Sequence, residues 1–315
     1  MAEHEKAFPI WQGKETNRLM HTAIQKDGFQ ASAKREGFSC CFCGNTAFSV
    51  YAKKPFTLSN IHRKLYDYLV CGFTRQNGFG KAKEKTLCIQ YSFPALLDAF
   101  GVSKKPNTRR FYKKRCKDAL QTLCSFAVEP HAAGDMLCGK LFDKIIFTDK
   151  NAVFEVHFSK AHAAYLFQSH VLYLPLSFLQ ADGRNASLYL IGRKLAELSR
   201  TNKSRCGKIG FQSLLAAYSS GKALADRHLR RTVIDPLKDT LNGLKDTGFL
   251  SEWSFTDREG SPLSYESETA CKTLLESGYL SFALPAETRN KLSLKGRKEE
   301  NDVSNGRFSR TSPYI

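Results

Sequence analysis

The feature that most constrains the fold of this chain is that it repeats itself. Arg109-Arg110 followed by Lys117-Asp118-x-Leu120-x-x-Leu123 returns as Arg230-Arg231 followed by Lys238-Asp239-x-Leu241-x-x-Leu244, at a constant offset of 121 residues. Upstream, Leu96-Leu97-x-Ala99-Phe100 returns as Leu214-Leu215-x-Ala217-Tyr218, and Arg63-Lys64-Leu65-x-Asp67 as Arg193-Lys194-Leu195-x-Glu197. The order is kept, and the offset changes only where loops are expected, such as the Gly- and Lys-rich stretch from Gln76 to Lys85. Each match alone is short and made of common residues, but three in register point to an internal duplication. A chain of 315 residues has room for two such units, each with its own core.

Charge follows the repeat. There are 48 Lys and Arg against 30 Asp and Glu, a formal net charge of +18. By segment the balance is +3 over 1–60, +9 over 61–130, 0 over 131–180, +7 over 181–250, −4 over 251–290 and +3 over 291–315. Two basic blocks, one per repeat, make nucleic acid the expected partner. The acidic 251–290 stretch is expected to face away from DNA. A hydrophobic content of 42% excludes a disordered basic tail. The longest apolar run, Val171 to Leu179, is interrupted by Pro175 and falls far short of the roughly 20 residues a membrane span needs, so no membrane partner is expected. The N-terminus has mixed charge and no apolar core of a signal peptide, which predicts a cytoplasmic protein whose ten cysteines are reduced thiols.

Within each repeat the pattern predicts a helix (60–76, capped by Ser59; 185–201), a short strand (87–91; 208–211), a short helix (93–100; 212–218) and a long helix starting near Asn107 or Ala225. Strands at 143–148 and 152–158 close the first unit around Asp149-Lys150-Asn151. Strands at 249–256 and 261–266 close the second around Asp257 to Gly260. Helix, strand, helix, turn, helix, hairpin is the order of a winged helix, in which the third helix enters the major groove. The expected fold is therefore α+β, with two tandem winged-helix domains related by internal duplication. The predicted boundaries are 1–54 for an N-terminal extension, 55–165 and 166–285 for the two domains, and 286–315 for a basic disordered tail.

The third helix of the first unit carries the sharpest local signal. Eight of the fourteen residues from Lys104 to Lys117 are basic and none is acidic. At 100° per residue, Arg109, Arg110, Lys113, Lys114 and Lys117 share one arc, and with Lys104 and Lys105 they form the expected DNA-binding face. Phe111, Tyr112, Cys116, Ala119, Leu120 and Leu123 are expected to make the buried face, with Arg115 at its edge. A basic face is often no more than solvated surface, but here no carboxylate shields it before Asp118. In the second unit Leu229, Val233, Leu237 and Leu244 share the apolar face, and Arg227, His228, Arg230, Arg231 and Lys238 are the expected DNA-binding residues. Pro236 should kink that helix or begin a fresh turn.

Arg231-Thr-Val-Ile-Asp-Pro236 followed by an amphipathic run resembles the long recognition helix of tandem winged-helix replication initiators. These are the Rep proteins of theta-replicating plasmids, which bind origin repeats called iterons. The resemblance covers residues 55–285. It implies that the second domain reads the major groove of double-stranded origin DNA while the first contacts the backbone or a neighbouring half-site. It also implies a homodimeric form and recruitment of the host initiator and replicative helicase. The greater basicity of the first copy leaves open which domain reads bases. A transcriptional repressor of the same fold is the alternative within DNA binding.

Catalytic alternatives find less support. His228-Leu-Arg-Arg231 has the His-x-x-Arg spacing of tyrosine recombinases, with Tyr265 downstream as nucleophile, but the repeat already accounts for this segment. A nickase needs His-x-His, which does not occur; His157 and His162 are expected to be ordinary strand-end residues. No phosphate-binding GxxxxGK[ST] loop is present. The chain is expected not to be an enzyme and to need no cofactor. Cys40, Cys41 and Cys43 form a metal-like cluster that Cys71 or His21 could complete, but the paired Cys-x-x-Cys of a zinc site is missing, so no metal is expected.

Overall fold

The computed structural model describes residues 7–12, 20, 30–31, 38–43, 46–51, 58–78, 86–130, 139–148, 153–180, 186–201, 206–218 and 228–285. The 79–85 loop, the 149–151 turn, the start of the second long helix at 225–227 and the 286–315 tail lie outside them. The described chain divides into two units, one ending at Leu172 and the other beginning at Tyr173.

In the N-terminal unit, helix α1 (Asn60–Asn77) starts at Ser59, whose backbone N–H is bonded to His62 Nδ1 at 3.1 Å. Its Leu65, Leu69 and Phe73 are fully buried, as four-residue spacing requires of a core face. Strand β5 (Cys88–Ser92) leads directly into α2 (Phe93–Ala99), where Ser92 caps the Ala95 N–H and Pro94 occupies the first turn. The turn after α2 reverses at Gly101, whose φ of 66° is the left-handed conformation that glycine adopts at least cost, and Val102 N–H returns to the Leu97 carbonyl at 2.9 Å. Helix α3 (Pro106–Cys124) follows. Strands β8 (Phe142–Thr148) and β9 (Val153–Phe158) then form the antiparallel wing, in a sheet of order β5-β9-β8. Alternation on β9 sends Phe154, Val156 and Phe158 into the core, where the Phe158 ring lies 4.3 Å from Phe73 and the Phe154 ring 4.7 Å from Phe93.

Strands β3 (Phe38–Cys43) and β4 (Thr46–Tyr51) lie within the predicted extension. They pair with each other and, through β4, with β6 (Ala127–Pro130), which follows α3. The N-terminal segment thus contributes strands to a five-stranded sheet of the first unit, flanked by β2 (Gln30–Ala31) and β7 (Gly139–Lys140). Strand β1 (Ala7–Gln12) pairs with β10 (His170–Pro175), and the Trp11 ring packs edge-on against Phe73 and Phe167 of α4 (Lys160–Phe167).

The C-terminal unit repeats the plan. After the short α5 (Leu176–Gln180) come α6 (Ala186–Thr201), β11 (Cys206–Gly210) and α7 (Phe211–Tyr218). A long helical segment made of a π turn (Arg230–Ile234) and α8 (Asp235–Asp246) follows. Pro236 explains the π turn. Proline has no N–H to donate, and its ring clashes with the carbonyl four residues back, so the backbone widens and Asp235 N–H bonds to Arg230, five residues away.

One expectation fails here. Strand β12 (Glu252–Thr256) is present, but its partner is not the 261–266 segment. The chain turns at Asp257, whose carboxylate accepts the Gly260 and Ser261 N–H groups, makes one bridge from Thr256 to Pro262, and leaves the sheet. Pro262 cannot donate to a ladder, and Ser267 then caps α9 (Glu268–Ser277). The return strand is β13 (Tyr279–Ala283), which lies between β11 and β12. The sheet order, β11-β13-β12, matches β5-β9-β8, with α9 inserted into the second wing.

The duplication reaches the core. Arg63 pairs with Asp67 on α1 (3.3 Å), and Arg193 pairs with Glu197 at the equivalent place on α6, both arginines fully buried. Two buried i,i+4 ion pairs in one register are hard to obtain except by descent from one unit, since a buried charge is costly unless paired.

Candidate nucleic-acid interface

Helix α3 divides into two halves. Cys116, Ala119, Leu120 and Leu123 in its C-terminal half are buried, whereas nothing from Gly101 to Arg115 is. The N-terminal half therefore stands clear of the core and holds five of the eight basic residues, with Lys104 and Lys105 just before the helix and Lys117 beyond this half. No acidic residue lies in its first turn. Cations at the positive end of a helix are disfavoured by the helix dipole, while exposed N–H groups there favour anions.

The basic arc drawn from the sequence is split. Arg109 is half-buried and ion-paired with Asp98 of α2. The Lys113 ammonium sits 5.2 Å over the Phe93 ring, and Lys117 lies 5.8 Å over Phe93 and 5.2 Å over Phe147. These three lean on α2 and the wing. Lys104, Lys105, Arg110 and Lys114 are exposed. So are two residues expected elsewhere. Arg115, placed at the edge of the buried face, is exposed, with its guanidinium 5.7 Å over Phe111. Phe111, expected in the core, is 58% exposed. The reason is the same for both: the core reaches only the C-terminal half of α3, so a wheel drawn over the whole helix assigns a buried face where none exists. The outward surface is Lys104, Lys105, Arg110, Phe111, Lys114 and Arg115.

The second recognition segment differs. Leu229, Val233, Ile234, Leu237, Leu241 and Leu244 are buried along its whole described length. His228 and Arg231 are exposed; Arg227 lies outside the described residues. Arg230 is held by Glu266 (3.1 Å), whose carbonyl also accepts from it at 2.8 Å, and by Asp235 at 3.9 Å. The Lys238 ammonium lies 4.4 Å over the Tyr265 ring. Glu266 and Tyr265, from the acidic 251–290 stretch, thus lie against this segment.

Two histidines, the buried His162 and the half-buried His62, belong to the N-terminal unit's frame. His162 Nδ1 donates to the Leu141 carbonyl at 2.9 Å, which leaves Nε2 of the neutral ring to accept from Tyr66 Oη at 3.0 Å. Burial holds its pKa down at about 4, and burial does the same for His62. His162 is accordingly structural. The five described cysteines for which pairing is assigned, Cys71, Cys88, Cys116, Cys124 and Cys271, are free thiols. Cys40, Cys41 and Cys43 lie on β3, where side chains fall outside the described residues. No helix among the described residues is long and apolar enough to cross a membrane.

Two winged-helix units in tandem, each with its sheet order preserved, place the chain in the class of tandem winged-helix folds. No protein-family model and no curated protein matches its sequence. Among solved structures it is similar to the Pi initiator protein crystallised with iteron DNA, at a TM-score of 0.52 and 11% identity over 90% of this chain and 100% of that one. It also matches domains 2 and 3 of RctB, at a TM-score of 0.47 and 8% identity over 84% of this chain and 98% of the other. The likeness to Pi is a likeness of fold.

Proposed function

We propose that the protein is a cytoplasmic, sequence-specific DNA-binding initiator of plasmid replication that binds double-stranded origin repeats and performs no catalysis of its own. The observation that carries this reading is the N-terminal half of α3, where five cations lie on a helical stretch with no buried residue and Lys104 and Lys105 just precede it, in the element that a winged helix presents to the major groove. Of these, Arg109 alone is ion-paired among the described residues, with Asp98, and cations at that density repel one another unless an anion lies against them. The fold shared with Pi, a protein solved on iteron DNA, supports the same reading. Dimerisation, and recruitment of the host initiator and helicase, belong to the proposal through the resemblance at Arg230 to Leu241. Tyr265, the nucleophile a recombinase would need, instead packs its ring on Phe255 at 5.5 Å and under Lys238.

The test is a gel-shift titration with the DNA flanking the gene. The proposal expects tandem repeats of about 20 bp, two helical turns each, and a ladder of complexes whose number follows the number of repeats. A single palindromic operator bound in one step would favour the repressor, and cleavage or joining of the DNA that is lost in Tyr265→Phe would overturn the non-catalytic reading.

A further inference from the structure

The face of the β5-β9-β8 sheet opposite the core carries a group that the DNA-binding reading does not use. Cys88 on β5 and His157 on β9 are directly opposed in the antiparallel register, and Glu155, two residues before His157, shares its face. Cys88 Sγ is 3.4 Å from His157 Nε2, which is 3.8 Å from Glu155 Oε2, and all three donor atoms lie within 4.8 Å of one another. Each residue is half-buried, so the group is held by the sheet yet open to solvent. The opposite face of the same strands holds Ile89, Tyr91, Phe154 and Val156, all buried.

We propose that Cys88, His157 and Glu155 form a three-ligand zinc site whose fourth position is open to water or an outside ligand. Thiolate, imidazole and carboxylate are all donors that zinc accepts, and the sulfur discriminates against magnesium and calcium. Bond lengths of about 2.3 Å to sulfur and about 2.0 Å to nitrogen or oxygen, at tetrahedral angles, separate S from N by about 3.6 Å and N from O by about 3.3 Å. The observed S–N and N–O spacings lie within about half an ångström of these values, and the sulfur and carboxylate, within 4.8 Å of each other, can close further by rotamer changes in half-exposed side chains. The thiolate and carboxylate together balance the charge of the ion; on binding, the Cys88 thiol gives its proton to solvent as the sulfur–zinc bond forms. Lys144, opposite His157 on β8, is the nearby cation and is exposed, so it can turn into solvent. Because β9 is a strand of the wing, the ion would tie the wing's stability to zinc supply and to the oxidation state of one thiol.

The experiment uses the full chain, freed of metal and kept reduced, titrated with cobalt(II) as a spectroscopic probe. The wild type should bind one cobalt with a thiolate charge-transfer band that zinc abolishes, and zinc should raise its melting temperature. Cys88→Ser should lose the band, and His157→Ala and Glu155→Gln should each weaken binding by about tenfold or more, while Cys43→Ser leaves it intact. No band in the wild type, a band that survives in Cys88→Ser, or a band lost in Cys43→Ser overturns the proposal. Should Cys88→Ser fail to melt cooperatively, Glu155→Gln decides, and unchanged affinity there also overturns it.

Discussion

The two recognition segments are built on one plan and dressed differently. α3 is α-helical from Pro106, leaves its first half clear of the core, and lets Arg110, Lys114 and Arg115 face outward beside the exposed Lys104 and Lys105 that precede it. The second segment opens with a π turn, is packed along its described length, and has Arg230 held by Glu266 and Asp235. Duplication preserved what the fold needs, namely the buried leucines, the Arg–carboxylate pair on the first helix and the sheet order. It left the surfaces free to diverge. Under the proposed function, the first unit supplies phosphate attraction at long range and the second makes closer contacts with few charges.

The equivalence of the cores can be broken most strongly at the buried ion pairs. Asp67→Ala removes the carboxylate paired with the fully buried Arg63 guanidinium and should cost about 3–5 kcal/mol in a urea melt. Glu197→Ala should cost about half as much, because Glu197 is 14% exposed and water can replace it. Equal costs would deny that exposure separates the two pairs. Next come the matched leucines: Leu120→Ala and Leu241→Ala, both fully buried, should each cost about 2–5 kcal/mol and fall close to each other. A near-zero cost at either would remove the equivalence of the two helices.

Acid should act on the first unit. The His162 pKa is lowered in the folded protein to about 4 from an ordinary 6.5. Between those values the unfolded chain takes up the proton and the folded one does not, so stability is complete above about pH 6.5 and falls as pH drops toward 4. The slope is about 1.4 kcal/mol per pH unit for this one group. His162→Gln should flatten the pH profile of unfolding over that window; an unaltered slope would show that His162 is not the group that titrates.

Much of this was legible in the sequence because the signals are local. Four-residue spacing in 60–76 and the Ser59 cap each act within a few residues, and the repeat supplied the order of the elements. What was hidden depends on distant partners. The Asp257 turn was readable, yet the strand that pairs with β12 lies beyond a helix whose own signals, Ser267 followed by Cys271, Leu274 and Leu275, could have revealed it. The exposure of Phe111 depends on how far the core extends under α3, and the capture of Arg109 by Asp98 on how α2 sits. Cys88 and His157 are 69 residues apart and meet only through strand register.

The central claim is that the outward face of α3 meets DNA phosphates. The measurement is the salt dependence of binding to origin DNA, compared between wild type and Arg110→Ala with Lys114→Ala. The account predicts a weaker complex and a slope of log affinity against log salt reduced by about 1–2 units. Arg109→Ala with Lys113→Ala, whose cations lean on Asp98 and Phe93, should change the slope less. A slope in the Arg110 and Lys114 variant equal to that of the wild type would contradict the account.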